Sequence, residues 1–287
     1  MSFWTRRSLL RSALAGAAAV SVQPSFGEDT PAKPRKGRIR QSVSRWCYKD
    51  VPLDKLCAYA KEIGLSGVDL LPPADFEAPR RYGLVCTMAS VPGVEIPDGF
   101  NRLENHAMIE GKLRAALPLA AKSGVERVVV FSGNRRGQDD EEGLKNTITG
   151  LKRVQKIGED NGVTLCLELL NSKRNHPDYQ CDHTVWGVRA VEAVNSPNVK
   201  LLYDIYHMQI MEGDLVATIR ENIQWIGHFH TGGVPGRHEL DETQEVQWAT
   251  VMRAIPDLGF KGYVAHEFVP VRDPLTSLRE AVDLCDV

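Results

Sequence analysis

From about residue 39 onward the chain alternates short, continuously apolar runs with longer segments whose apolar residues recur every three or four positions. The short runs read as strands near 39–45, 67–71, 84–88 and 127–131, then as four segments closing at Glu168, Asp204, His230 and Glu267. The longer segments read as helices near 53–63, 103–122, 141–161, 185–194, 215–222, 246–258 and 275–284, with Gly64 and Gly124 as stop signals. Strands without polar alternation suit a sheet covered on both faces. Eight of them, alternating with helical segments, predict a single closed (β/α)8 barrel of the α/β class over residues 38–287. The competing arrangement is a doubly wound open sheet, but no Gly-x-Gly-x-x-Gly turn follows any strand. No internal repeat or low-complexity linker marks a second domain.

The first residues follow another pattern. Thr5-Arg-Arg-Ser-Leu-Leu-Arg11 precedes a weakly apolar stretch to Val22 and small residues around Ser25 and Gly27. This order predicts a twin-arginine-type signal peptide over residues 1–27 and a flexible mature tail over 28–37. The expected location is then periplasmic or otherwise extracytoplasmic, or cytoplasmic if the signal is not used. The chain is 287 residues long, 43% hydrophobic and 25% charged, with a formal net charge of −2. That balance, without a long basic run, argues against nucleic acid as a partner, and no segment reads as a membrane span. The six cysteines show no Cys-x-x-Cys pair. Cys86 and Cys166 fall inside apolar strands, where a free thiol packs as a small hydrophobe.

The candidate chemistry lies in the second half. Glu168, Asp204, His230 and Glu267 each close a predicted strand, at successive separations of 36, 26 and 37 residues, room for one strand–helix unit each. A lone acid at a strand end is commonly a helix cap or an exposed loop residue. Parallel barrel strands, however, bring their carboxyl ends to one rim, so four such residues converge there. Three carboxylates and one imidazole suit one hard divalent ion, Mg²⁺, Mn²⁺ or Co²⁺. Such an ion polarises a carbonyl and its neighbouring hydroxyl, so the expected partner is a small hydroxy-carbonyl compound isomerised through an ene-diolate. Glu168 and Glu267 are the expected proton-transfer residues. His207 is placed to hydrogen-bond a substrate oxygen, and Arg237 to clamp a substrate carboxylate. Two residues before each ligand, Cys166, Leu202, His228 and Ala265 point the same way below the site. His228 reads as a support to the ligands, as does Asn171, and His266 should face the outer helices. The loops after the first four strands, including Trp46, Glu95, Arg135 and Arg136, are expected to set substrate choice.

The segments Glu168-Leu-Leu-Asn171, Asp204-Ile-Tyr-His-Met-Gln209, His228-Phe-His-Thr-Gly-Gly-Val-Pro-Gly-Arg237 and Ala265-His-Glu-Phe-Val-Pro270 resemble hydroxypyruvate isomerases of the xylose isomerase-like barrel superfamily. The resemblance covers roughly residues 41–287. It implies a (β/α)8 barrel, one divalent ion, and interconversion of hydroxypyruvate with tartronate semialdehyde. The family's two catalytic glutamates fall on Glu168 and Glu267, and its aspartate ligand on Asp204. The chain departs at His230, where hydroxypyruvate isomerases commonly carry Gln. Related ketose 3-epimerases use Glu, Asp, His and Glu, the set found here. The segment 239–245 matches the isomerase pattern only loosely, whereas Val234-Pro-Gly-Arg237 is closer to it. Two further readings are a multi-metal phosphodiesterase of the endonuclease IV kind and a non-catalytic sugar-binding barrel. The first needs histidines at the second and third strand ends, where this chain has Leu70-Leu-Pro-Pro-Ala74 and Met88-Ala-Ser-Val-Pro92.

Overall fold

The computed structural model describes residues 35–287; the predicted leader, and the tail as far as residue 34, lie outside them. Eight strands, β1 (Arg40–Ser44), β2 (Gly67–Leu71), β3 (Val85–Ala89), β4 (Arg127–Val130), β5 (Thr164–Glu168), β6 (Val199–Asp204), β7 (Ile226–Thr231) and β8 (Tyr263–His266), pair in sequence order. All pairs are parallel, and β1 pairs with β8, so the sheet closes on itself. The chain is a (β/α)8 barrel, as its apolar pattern predicts. Around it lie α1 (Leu53–Glu62), α2 (Glu77–Arg80), α3 (His106–Lys122), α4 (Asp140–Asn161), α5 (Thr184–Val194), α6 (Ile205–Met211), α7 (Leu215–Asn222), α8 (Trp248–Asp257) and α9 (Pro274–Leu284). None is long and apolar enough to cross a membrane.

Local chemistry sets the ends of these elements. Asp139 caps α4, its carboxylate accepting the Glu142 N–H at 2.8 Å, and three acids in the first turn favour the helix dipole. The helix stops at Gly162, whose φ of 64° is the left-handed conformation that glycine adopts without steric cost. Asp273 caps α9 in the same way, accepting the Thr276 N–H with Pro274 in the first turn. Two helices have no counterpart in the sequence reading. One is the single turn α2, which with a 3-10 turn at Pro73–Asp75 replaces a full helix between β2 and β3. The other is α6, seven residues without a polar face, buried for most of its length and so lacking helical amphipathicity. At the other end of the described chain, Lys36 and Gly37 donate their backbone N–H groups to Asp286. These two residues, assigned from sequence to the tail, are therefore tied to the barrel beyond α9.

Strand β2 is irregular. Its register against β3 shifts on both sides of Asp69, and Leu70 adopts a φ of 56°. Left-handed backbone at a branched residue costs on the order of 1 kcal/mol. A shift of this kind re-aims a side chain, and here it sends the Asp69 carboxylate into the barrel.

Candidate metal centre

Four strand ends deliver the four expected residues to one point. Glu168, Asp204, His230 and Glu267 each offer a ligand atom, and these atoms all lie within 4.8 Å of one another. Asp204 and His230 are fully buried and the two glutamates nearly so. Around His230 Nδ1, Glu267 Oε2 is in contact, Glu168 Oε1 lies at 3.5 Å and Asp204 Oδ2 at 3.9 Å. Asp204 is both ligand candidate and helix cap: Oδ1 accepts the His207 N–H at 3.1 Å, which leaves Oδ2 facing the site. The strand-end position and the cap, alternatives in sequence, coexist in this residue.

The set fits a divalent cation by two tests. His230 Nδ1 is a fully buried nitrogen aimed among three carboxylate oxygens, a donor set suited to a cation. The opposite nitrogen, Nε2, is 2.8 Å from Asp69 Oδ2, so its proton is held there; against the cost of burial the surrounding carboxylates raise His230 well above its usual range, so Nδ1 carries the proton that a cation would displace. Burial would raise Asp69, but His228 and His230 hold its carboxyl well below the usual range. Thr87 Oγ1 donates to Asp69 at 2.5 Å, and His228 Nε2 stands 3.2 Å from the same carboxylate. The acids themselves are pushed apart. Burial, with the Glu267 and Asp204 charges, lifts Glu168 to about 7 against the opposing hydrogen bond to His230. Burial would also raise Glu267, but the charges of His230 and Arg237 bring it to about 2.

His207 and Arg237, expected at the substrate, stand against this cluster. Arg237 Nη2 donates to Asp204 Oδ2 and Glu267 Oε2, both at 2.6 Å, and its Nε donates to the Glu267 backbone carbonyl at 2.9 Å. Its guanidinium lies over the Tyr206 ring at 4.8 Å and the Trp46 ring at 5.7 Å. Arg237 Nη1 is 2.5 Å from His207 Nε2, while the Asn171 backbone N–H is 3.1 Å from Nδ1. Burial, then the Arg237 charge, keeps His207 neutral. A neutral imidazole has one acceptor nitrogen, so only one of these neighbours can donate to it. Asn171 lies against His207, and His228 against Asp69. Among the loop residues, Trp46 reaches the site, its indole N–H donating to Glu267. Arg135 and Arg136 do not; they pair with Asp182 and Asp98 and hold neighbouring loops. Glu95 accepts the Gly93 N–H. His266, hydrogen-bonded to Gln41, faces away from the centre.

The sequence profile of the xylose isomerase-like TIM barrel family matches residues 57–286. The chain belongs to that family. A human protein provisionally named hydroxypyruvate isomerase is 27% identical over 238 residues, covering 81% of this chain and 80% of that protein. The 2-oxo-tetronate isomerase of Cupriavidus necator is 29% identical over 199 residues, covering 69% and 70%. The D-psicose 3-epimerase of Ruminiclostridium cellulolyticum is 33% identical over a shorter stretch of 127 residues, covering 43% and 40%. Among solved structures, the family 2 AP endonuclease of Brucella melitensis superposes with a TM-score of 0.75 at 25% identity, covering 84% of this chain and 96% of that one. With isomerases among its relatives, this xylose isomerase-like barrel is an isomerase enzyme. Sequence reasoning missed one residue of its centre, Asp69. The signal was available: a lone acid inside the apolar run Gly67–Leu71 is a buried charge that needs a partner.

Proposed function

We propose that the chain is a divalent-metal-dependent isomerase of a small α-hydroxy-carbonyl acid, with hydroxypyruvate and tartronate semialdehyde as the substrate pair it fits best. The convergence of Glu168, Asp204, His230 and Glu267 carries this reading. A divalent cation held by these four supplies Lewis-acid polarisation of a carbonyl and the adjacent hydroxyl. Glu168 and Glu267 come from β5 and β8, so they flank a substrate from different sides. One takes the proton from the hydroxyl-bearing carbon and the other delivers a proton to the neighbouring carbonyl carbon, while the hydroxyl proton passes to the former carbonyl oxygen. Asp204, fixed by capping α6, and His230, fixed by Asp69, hold their positions without reorganising. A substrate carboxylate would reach the planar fork of Arg237, and a substrate oxygen His207, only by displacing the present partners of these side chains. The arginine pair and apolar stretch at residues 5–22 support export of this enzyme by the twin-arginine route.

Ketose 3-epimerisation is the second reading, favoured by His230 in place of the glutamine common in hydroxypyruvate isomerases and by the epimerase relative. A multi-metal phosphodiesterase draws less support: the adjoining Asp69–His228–His230 cluster shares its central histidine with the first. Incubation of Mn²⁺-loaded protein in D₂O with hydroxypyruvate, and separately with a ketohexose, separates these readings by mass spectrometry. Deuterium enters hydroxypyruvate, and Glu168→Gln or Glu267→Gln reduces the exchange at least about 100-fold. Exchange confined to the ketohexose would move the assignment to the epimerases. No exchange into either would remove the enzymatic proposal for both substrates.

A further inference from the structure

The opposite mouth of the barrel, where the strands begin, holds a cavity of about 580 Å³. Four cationic side chains line it: Arg40 at the start of β1, Arg127 at the start of β4, Lys200 in β6, and Lys261 just before β8. Two of them share a partner. The guanidinium carbons of Arg40 and Arg127 lie 4.2 and 5.2 Å from the centroid of one ring, that of Tyr263. Arg127 donates to the Gly227 carbonyl at 2.9 Å, Lys200 to the Gln224 carbonyl at 2.8 Å, and Arg40 to the Lys261 carbonyl. These acceptors carry no charge. Among the described residues, the one carboxylate within ion-pairing distance of the four is Glu126, which bonds Arg127 at 2.8 Å and is itself largely in solvent. The Arg127 side chain is only 14% exposed, and burial pushes the Lys200 ammonium below its usual range.

A chain with a net charge of −2 has therefore gathered four positive groups against one acid around a concavity, Arg127 and Lys200 partly buried and Arg40 and Lys261 exposed. Partly buried charge without a counter-ion is costly, and a cleft lined by one sign of charge concentrates ligands of the other. Two guanidinium forks and two ammonium groups exceed what one carboxylate needs and match a multiply charged phosphate group. The volume is in the range of small-molecule sites. We propose that this cavity binds a small phosphorylated compound through its phosphate, at the end of the barrel remote from the metal centre. This site is separate from the reaction proposed above and does not depend on it.

Isothermal titration of the metal-loaded protein with glycerol 3-phosphate and with inorganic phosphate, at ionic strength held constant with NaCl, tests the proposal. Saturable binding of one ligand per chain is expected. It should weaken at least tenfold in Lys200→Gln and in Lys261→Gln, two substitutions outside the catalytic cluster, while deuterium exchange activity is unchanged. Circular dichroism of each variant establishes that it is folded, and Lys261, before β8, provides an arm that does not disturb the packing of Arg127. Binding equal in wild type and both variants would place the phosphate elsewhere and overturn the assignment. So would the absence of saturation, or tighter binding of a duplex oligonucleotide than of either phosphate, which would make this a general polyanion face.

Discussion

Asp69 does more for the candidate metal centre than its place behind the four ligand candidates suggests. Its Oδ2 lies 2.8 Å from His230 Nε2, so it decides which imidazole nitrogen is left for the cation. Asp69→Asn keeps the shape and removes the charge, and its amide can present an N–H to Nε2 and reverse the tautomer. Divalent affinity is expected to fall about 10–100-fold, read by titration of the purified variant with Mn²⁺, with Asp69→Glu recovering part of the loss. The four ligand candidates were legible in sequence because strand ends in a parallel barrel share one rim, whatever the loops do. Asp69 was not, because its inward aim depends on the register shift and the left-handed Leu70. Neither is encoded in apolar periodicity.

At the scale of elements, the loops after β7 and β8 are joined through one carboxylate. Glu239 Oε1 accepts the backbone N–H groups of Val271 and Arg272, both at 3.0 Å, and the Ser277 hydroxyl at 2.8 Å. Burial would raise this carboxyl, but the Arg272 N–H, the Ser277 hydroxyl and the Val271 N–H hold it below the usual glutamate range. A depressed carboxyl stabilises the fold above its unfolded value, about 4.3, and that contribution is lost as the pH falls through the folded value. Glu239→Gln is accordingly expected to cost about 1–2 kcal/mol at pH 7, with the difference from wild type shrinking below about pH 4. Urea unfolding of both proteins at pH 7 and pH 3.5 checks this, and a gap that widens in acid would contradict it. Helices with clear caps and an amphipathic stripe, such as α4, were readable from sequence. The segment that became α6 was not, because a short helix buried for most of its length has the same apolar pattern as a strand or a packed loop.

For the molecule as a whole, the candidate metal centre draws on β5, β6, β7 and the end of β8, with β2 contributing Asp69 behind them. Metal occupancy should therefore stabilise the barrel globally rather than one loop. A cation present at about a hundred times its dissociation constant adds roughly 2.7 kcal/mol, which for a chain of this size is about 5–10 °C in Tm. Calorimetry in EDTA and after return of Mn²⁺ reads that difference, and Asp204→Asn should abolish most of it. Equal transitions with and without the ion would mean that these side chains do not hold it.

The seam between the first and last strands has a consequence for biosynthesis. Val43 registers with His266 across 223 residues of chain, so the ring is completed only once the last of the eight strands has been made. Until then a nascent chain exposes β1 and β7 as raw edges, the kind of surface that invites wrong pairing. Closure of the barrel therefore waits for β8 to emerge and find the strand that was made first.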